Sequence, residues 1–361
     1  MRSTETLTIR KHVAPHPVAR AFVALPVAAV VLVVTLPLWI LWLVLGGVAE
    51  LARVVHHRLE PRPVPWDQVI EFTPELGWQA RPNLDTAARA DHVFRFTTDE
   101  HGWRRTRDFE DSDVVVFGDS FAFGWGIEDR DHFANVEVRT GRTRCPVRIK
   151  AVGMVGYSLV HELIVMRRVR ERLAGKIVVC LVYVGNDILA NLNPHVGPYR
   201  APYVRQQVSG EWQIMSDLVT QEPWPWPNWP SDEQDYAELC CEGARSRRAY
   251  QACEHLLGEA KEICDGVGAR LVVALVPNLS DFDRDTLASI APDPASFDPE
   301  RATREISAAC ARLDVGFVSF RDSLERRHYK TSDLHWNEAG NRRVAEVLST
   351  VAQDLRPTSD P

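Results

Sequence analysis

The sequence predicts an α/β fold built on a doubly wound, five-stranded parallel sheet. From residue 114 onward, short apolar runs alternate with amphipathic helical periods, as expected for a sheet covered by helices on both faces. The runs are VVVF at 114–117, VRIKAV at 147–152, IVVCLVYV at 177–184, LVVALV at 271–276 and GFVSF at 316–320. The helical periods fall near 130–140, 158–174, 246–267, 300–312 and 337–355.

The composition is that of a folded protein with a sizeable core. The chain has 361 residues, of which 45% are hydrophobic and 25% charged, and its net charge is −7. An acidic chain without a basic stripe lacks the groups that make phosphate contacts. We therefore expect no nucleic-acid partner.

An uncharged stretch near the N-terminus predicts a membrane anchor. Residues 21–49 contain no charged side chain, and a helix of that length would reach roughly 40 Å, enough to cross a bilayer once. A cleaved signal peptide has a shorter apolar core and a small-residue cleavage site, so we interpret the stretch as an uncleaved transmembrane helix. Pro26 and Pro37 leave a kinked or re-entrant segment as the alternative.

The predicted organisation is a tail at 1–20, the anchor at 21–49, a proline-rich linker at 50–66 and one large domain at 67–361. Within that domain, residues 67–112 are expected to form loops and short strands. Basic residues on both sides of the anchor slightly favour an inside N-terminus, with the large domain outside the cytoplasm.

The seven cysteines show no CxxC spacing and predict neither a disulfide framework nor a zinc site. Free thiols fit a reducing compartment slightly better, which weakens the prediction of an exported domain without reversing it.

A long interruption, residues 188–245, separates the third strand from its helix. It contains EPWPWPNWP at 222–230, where alternate prolines exclude a regular helix. Trp224, Trp226 and Trp229 either pack onto the domain, which is the simpler interpretation, or stack on a sugar ring near a pocket.

Polar groups and glycines follow the first three predicted strands. Ser120 follows the first, GMVGYS at 153–158 the second, and VGND at 184–187 the third. If the strand order is 2-1-3-4-5, strands two and three flank strand one, and Gly156 and Asn186 lie on either side of Ser120. The N–H groups of Ser120 and Gly156 and the Asn186 amide would then form an oxyanion hole for a nucleophilic serine.

The segment TSDLHWNEAG at 331–340 supplies the expected base. Residues i and i+2 of an extended segment point to the same side, so the Asp333 carboxylate can reach His335 Nδ1. It would fix the imidazole tautomer and leave Nε2 for Ser120. Asn337 is the predicted N-cap of the last helix. Three other histidines lie on predicted helices and are expected at the surface: His132, His161 and His255.

Together, VVVFGDSFAFGWG, GMVGYS, VYVGND and SDLHWNEAG resemble the four blocks of the SGNH/GDSL hydrolase superfamily over about residues 114–355. PELGWQARPN at 74–83 and TDEHGWRR at 98–105 resemble the upstream region of its membrane-anchored bacterial members. The resemblance implies a flavodoxin-like sheet and a catalytic domain at 67–361. The roles it implies are Ser120 as nucleophile, His335 as base, Asp333 as its partner, and Ser120, Gly156 and Asn186 as oxyanion-hole donors.

Two positions differ from the usual pattern of that superfamily. The step from Asp333 to His335 is two residues, where many members have three. Ala151 stands where relatives often have asparagine, which leaves Gly153 as an alternative to Gly156.

The resemblance implies a serine esterase that acts on a small-molecule or glycan ester through an acyl-serine, with no cofactor and no metal. An O-acyltransferase that modifies envelope or exported polysaccharide is the nearest alternative, favoured by the anchor and the tryptophan-rich loop. A non-catalytic binding protein is the third. Ala122 excludes the G-x-S-x-G elbow of the α/β-hydrolases, and no Walker A loop, HExxH or complete G-x-G-x-x-G occurs.

Overall fold

The computed structural model describes residues 36–42, 44–48, 62–138, 147–225, 231–331 and 333–355. The chain divides into two units, Met1–Glu60 and Pro61–Pro361. In the first unit, residues 36–42 and 44–48 are helical and their apolar side chains are exposed. Most of the predicted anchor and linker, and the whole tail, lie outside the described residues. Within the described ranges, no helix combines the length and apolar character needed to span a bilayer.

Two antiparallel hairpins precede the central sheet, as expected for residues 67–112. A short helix α1 (Trp66–Val69) leads into strands β1 (Ile70–Thr73) and β2 (Gly77–Ala80), which pair with each other. Strands β3 (Asp85–Arg89) and β4 (Val93–Thr97) form the second hairpin. Their apolar side chains join the main core.

The central sheet confirms the predicted doubly wound order. The remaining strands are β5 (Val114–Gly118), β6 (Ile149–Gly153), β7 (Ile177–Tyr183), β8 (His195–Val196), β9 (Tyr199–Arg200), β10 (Tyr203–Gln206), β11 (Trp212–Met215), β12 (Arg270–Val276) and β13 (Gly316–Ser319). Strands β13, β12, β7, β5 and β6 lie side by side in that order, all parallel. When the five strands are numbered along the chain and read from β6 to β13, their order is 2-1-3-4-5, so β6 and β7 flank β5. The paired strands β8–β9 and β10–β11 belong to the long interruption.

Helices cover both faces of the sheet, which explains why every residue of β5, β6 and β7 is buried. The helices that follow α1 are α2 (Ser120–Phe123), α3 (Leu159–Arg168), α4 (Asp187–Ala190), α5 (Asp232–Leu239), α6 (Ala244–Gly266), α7 (Arg284–Ser289), α8 (Arg301–Leu313) and α9 (Glu338–Leu355). Buried residues of α3, α6 and α8 form a core with Val115 and Phe117 of β5, while α9 packs with Val114 and Val116 on the other face. The cysteines of the described residues are buried free thiols.

The helix predicted at 130–140 is wrong over its described part. Residues Asp129–Asp131 form one 3-10 turn, and turns and extended backbone follow. His132 explains the difference: its Nε2 lies 3.1 Å from the Ala122 carbonyl oxygen, and its Nδ1 accepts the Ala134 N–H at 3.1 Å. These bonds tie the segment to α2 and compete with a helical hydrogen-bond ladder.

Two of the histidines expected at the surface are instead buried. His132 and His161 are 0% and 1% exposed, whereas His255 is half-buried. Burial lowers the pKa of both His132 and His161 to about 3, so both are neutral at ordinary pH. The helix predicted at 158–174, which contains His161, is also shorter than predicted. It ends at Arg168, and a separate 3-10 turn follows at Arg170–Leu173.

Candidate active site

Ser120 lies at the tight turn where β5 passes into α2. Asp119 caps this helix: its Oδ1 accepts the Phe121 N–H at 2.8 Å, and its Oδ2 lies 3.3 Å from Ser120 Oγ. A Cβ at Gly118 would lie 2.9 Å from the Ala122 Cβ, so glycine is needed for the turn to close. The turn therefore holds the serine hydroxyl at the carboxyl end of β5.

The structure brings Ser120, His335 and Asp333 together. Ser120 Oγ lies 2.7 Å from His335 Nε2, and His335 Nδ1 hydrogen-bonds Asp333 Oδ1 on its other side. The His335 backbone N–H donates to the same carboxylate oxygen at 3.1 Å. The imidazole also packs against the Phe121 ring, with centroids 4.8 Å apart. Each atom of the imidazole that can carry a proton thus has a defined partner.

Asn337 fixes the loop that carries the histidine, as predicted for an N-cap. Its Oδ1 accepts the Gly340 N–H at 3.0 Å in the first turn of α9. Its Nδ2 donates to the carbonyl oxygens of Arg327 at 2.8 Å and Tyr329 at 3.0 Å. The loop is therefore held between a 3-10 turn and the last helix.

The predicted oxyanion donors lie just beyond the carboxyl ends of three neighbouring strands: Ser120 follows β5, Gly156 follows β6 and Asn186 follows β7. Within the described part of the chain, no hydrogen bond uses the backbone N–H of Ser120 or of Gly156, and the Asn186 side chain makes none. Asn186 Oδ1 is buried, which leaves Nδ2 as the side-chain polar group able to face a ligand. Gly153 is the last residue of β6, paired with Gly118, whereas Gly156 lies in the following loop with a φ of 81°. This placement favours Gly156 over Gly153 as a donor.

The carboxylates near the serine have shifted pKa values. Burial raises the pKa of Asp119 to about 6, against the opposing effect of the Phe121 N–H. Burial also acts to raise the pKa of Asp333, but the hydrogen bonds from His335 and the charges of His335 and Lys330 outweigh it. The pKa of Asp333 therefore lies below its usual value, and Asp333 is ionised at neutral pH.

Sequence reasoning missed Asp232, the first residue of α5 in the long interruption. Burial raises its pKa to about 6, while the charge of His335 and a hydrogen bond from Tyr183 lower it. The Tyr183 hydroxyl accepts the Asn278 Nδ2 group at 2.7 Å, which leaves its own hydrogen for Asp232. No local signal marks this residue, because only the path of the interruption brings it to the site. Asp119, in contrast, was detectable as a helix N-cap.

The tryptophan-rich loop is described as far as Pro225. Trp224 stacks on the His195 ring, with centroids 4.4 Å apart, and the Arg200 guanidinium lies 5.1 Å from its ring. Trp224 therefore packs against other residues of the long interruption, whereas Trp226 and Trp229 lie outside the described residues. Within the described ranges, no group of three or more His, Cys, Asp or Glu side chains is arranged to hold a metal ion.

No protein-family model matches the chain, and no curated protein matches it. Among solved structures, the chain is similar to SGNH and GDSL hydrolases. The structure of TesA is 12% identical, with a TM-score of 0.39, over 67% of this chain and 99% of that one. The native aryl esterase of M. smegmatis is 13% identical, with a TM-score of 0.39, over 68% and 100%. A GDSL-like lipase from Bacteroides thetaiotaomicron is 13% identical, with a TM-score of 0.38, over 70% and 93%. Similarity at this level assigns no activity.

Proposed function

We propose that this protein is a serine esterase that hydrolyses carboxylic ester bonds through an acyl-serine intermediate. The observation that carries the proposal is the 2.7 Å contact between Ser120 Oγ and His335 Nε2, with Asp333 bonded to the other ring nitrogen. A hydroxyl, an imidazole and a carboxylate in this relation form the arrangement that activates a serine for acyl transfer.

In the first half of the reaction, His335 Nε2 accepts the hydroxyl proton as Ser120 Oγ bonds to the ester carbonyl carbon. Negative charge moves onto the carbonyl oxygen, where the N–H groups of Ser120 and Gly156 and the Asn186 amide stabilise it. The imidazolium then donates its proton to the departing alcohol oxygen as the ester C–O bond breaks. The products of this half are the free alcohol and the acyl-serine.

Water completes the reaction by the same route in reverse. His335 accepts a proton from the water molecule as its oxygen bonds to the acyl carbon, and the resulting imidazolium returns a proton to Ser120 Oγ as the acid leaves. Asp333 holds the imidazole with its Nε2 toward the serine and stabilises the imidazolium in both halves.

The test is S120A in the full-length chain, assayed with a short-chain aryl ester. We expect hydrolysis to fall to the background rate, and a fluorophosphonate to label the wild-type protein but not the variant. S349A is a matched control, because Ser349 is a buried serine of α9 and takes no part in the proposed site. Undiminished turnover by S120A contradicts the esterase, and an unlabelled wild type favours a non-catalytic binding protein.

Transfer of the acyl group to a sugar hydroxyl remains the second candidate. A cavity of about 460 Å³ lies where β1 and β2 meet the long interruption, lined in part by Trp78, Tyr199 and Arg200. Trp78 also donates its Nε1–H to the Val155 carbonyl oxygen at 2.9 Å, next to Gly156. Aromatic and charged groups suit a polyol acceptor. Product analysis with glycan acceptors separates the two reactions: acylated glycan supports transfer, and free acid alone supports hydrolysis.

We also propose that residues 21–49 anchor the protein in a membrane by one helix, with the catalytic domain outside the cytoplasm. The uncharged stretch and the exposed apolar side chains at 36–42 and 44–48 support the anchor. Alkaline extraction of membranes tests it, since an anchored chain stays in the pellet. Protease treatment of intact cells tests the orientation, because an external domain is degraded.

A further inference from the structure

Lys330 is a buried cation next to the proposed site that the mechanism does not use. Its side chain is 4% exposed, and it lies five positions before His335 in the same loop. The Lys330 backbone N–H donates to the His335 carbonyl oxygen at 2.9 Å, and the neighbouring residues Tyr329 and Trp336 form an antiparallel β-bridge. The lysine and the histidine therefore share one short antiparallel turn.

The Lys330 ammonium reaches two other segments. It donates to the Trp125 carbonyl oxygen at 3.2 Å, in the loop that follows the nucleophile helix, and lies 3.5 Å from Asp91 Oδ1 in the β3–β4 turn. A Cβ at Gly126 would collide with Nζ, so glycine is required for the ammonium to fit there. One side chain thus joins the serine loop, the histidine loop and the upstream hairpin.

Carboxylates offset part of the cost of burying the Lys330 ammonium. Burial lowers the pKa of Lys330 below its ordinary value, and the charges of Asp333, Asp91 and Glu338 oppose that shift. Lys330 in turn lowers the pKa of Asp91 and of Asp333 against the effect of burial. The other titratable groups that face this cluster are His92 beside Asp91, and Asp119 and Asp232 around His335.

We propose that Lys330 is a positioning residue that docks the His335 loop onto the serine loop, with Asp91 as its counter-charge. The proposal rests on the proposed esterase function. It makes the β3–β4 hairpin part of the active-site assembly, because the hairpin supplies the carboxylate that accompanies a cation buried beside the base.

The test compares K330M with wild type in the full-length chain, using aryl ester turnover and fluorophosphonate labelling across pH. Loss of the cation removes a charge that lowers the pKa of Asp333, so the acid limb of kcat/KM should move to higher pH. We expect kcat to fall at least about tenfold, with KM changed less than about twofold. A K330M limb that coincides with wild type overturns the proposal.

K150M is the matched control, since Lys150 is also a buried lysine, paired with Asp99 at 2.5 Å near the start of β6. It should lose stability without moving the acid limb, and a limb displaced as in K330M overturns the proposal. If K330M does not fold, D91N decides: its limb should move to lower pH, and an unchanged or raised limb overturns the proposal. Absence of wild-type turnover and labelling would instead contradict the esterase itself.

Discussion

Ser120 Oγ and His335 Nε2 lie 2.7 Å apart, although 215 positions separate the two residues in the sequence. Two local features make this contact possible. The turn after β5 places the serine at the carboxyl end of that strand, and the Asn337 cap holds the histidine loop at the start of α9. Neither feature alone brings the two residues together. The parallel sheet does so, because the end of β5 and the loop that precedes α9 both lie at the carboxyl end of the sheet.

D333N should lower kcat by about 10³- to 10⁴-fold, with little change in KM. The neutral amide can present an N–H to His335 Nδ1, which favours the wrong imidazole tautomer and gives the imidazolium no charge partner. Steady-state kinetics with an aryl ester measures both constants. D322N is the control, because Asp322 is exposed on a separate 3-10 turn. A D333N rate within about tenfold of wild type would show that Asp333 is not the partner of the base.

N186A should lower kcat by about 10²- to 10³-fold, the usual effect of removing one donor from an oxyanion hole. The Asn186 side chain forms no hydrogen bond within the described residues, so its loss breaks no structural bond there. N193A, a half-buried asparagine of the same segment, is the comparison. Equal kcat values for the two variants would remove Asn186 from the oxyanion hole.

G156A should impair catalysis more than it impairs folding. Gly156 has a φ of 81°, and a Cβ there would lie 3.1 Å from Val196 Cγ1, so alanine strains the loop and displaces its N–H. G175A is a close control: Gly175 has a φ of 68°, but a Cβ there meets nothing within 4 Å. Both variants should lose about 1–2 kcal/mol of stability, whereas only G156A should lose kcat, by about tenfold or more. Thermal unfolding and kinetics together separate the two effects, and equal kcat values would contradict the role of Gly156.

D119N should become more stable relative to wild type as the pH rises. The pKa of Asp119 is raised to about 6 from 3.8 in the fully buried site, so the folded state disfavours its charge. That penalty is absent below pH 3.8 and complete above about pH 6, where it amounts to about 3 kcal/mol. The stability difference between D119N and wild type should therefore grow by about 1–2 kcal/mol from pH 5 to pH 8.

Denaturant unfolding at the two pH values measures this difference. D314N is the control, because Asp314 is an exposed aspartate at the end of α8, remote in sequence from Ser120. A D119N difference that stays constant between pH 5 and pH 8 would mean that Asp119 carries no such penalty.

The errors of the sequence predictions share a physical cause. The period at 130–140 favoured a helix, but the hydrogen bond between His132 and the Ala122 carbonyl oxygen holds that segment against α2. His161 was assigned to the surface, yet it is buried between Tyr157 and Trp78. In both cases a partner distant in sequence or on another element overrode a local pattern.

The sequence alone determined the five parallel strands, the serine at the end of the first and the Asp333–His335 pair, because each depends on residues close together along the chain. Apolar runs, a helix cap and the i, i+2 geometry of an extended segment are all local. Only the tertiary structure decided which groups surround that pair. Lys330, Asp91, Asp232 and Asp119 meet there because β-strand order and the path of the long interruption bring them together, and burial then sets the electrostatic strength of each charge.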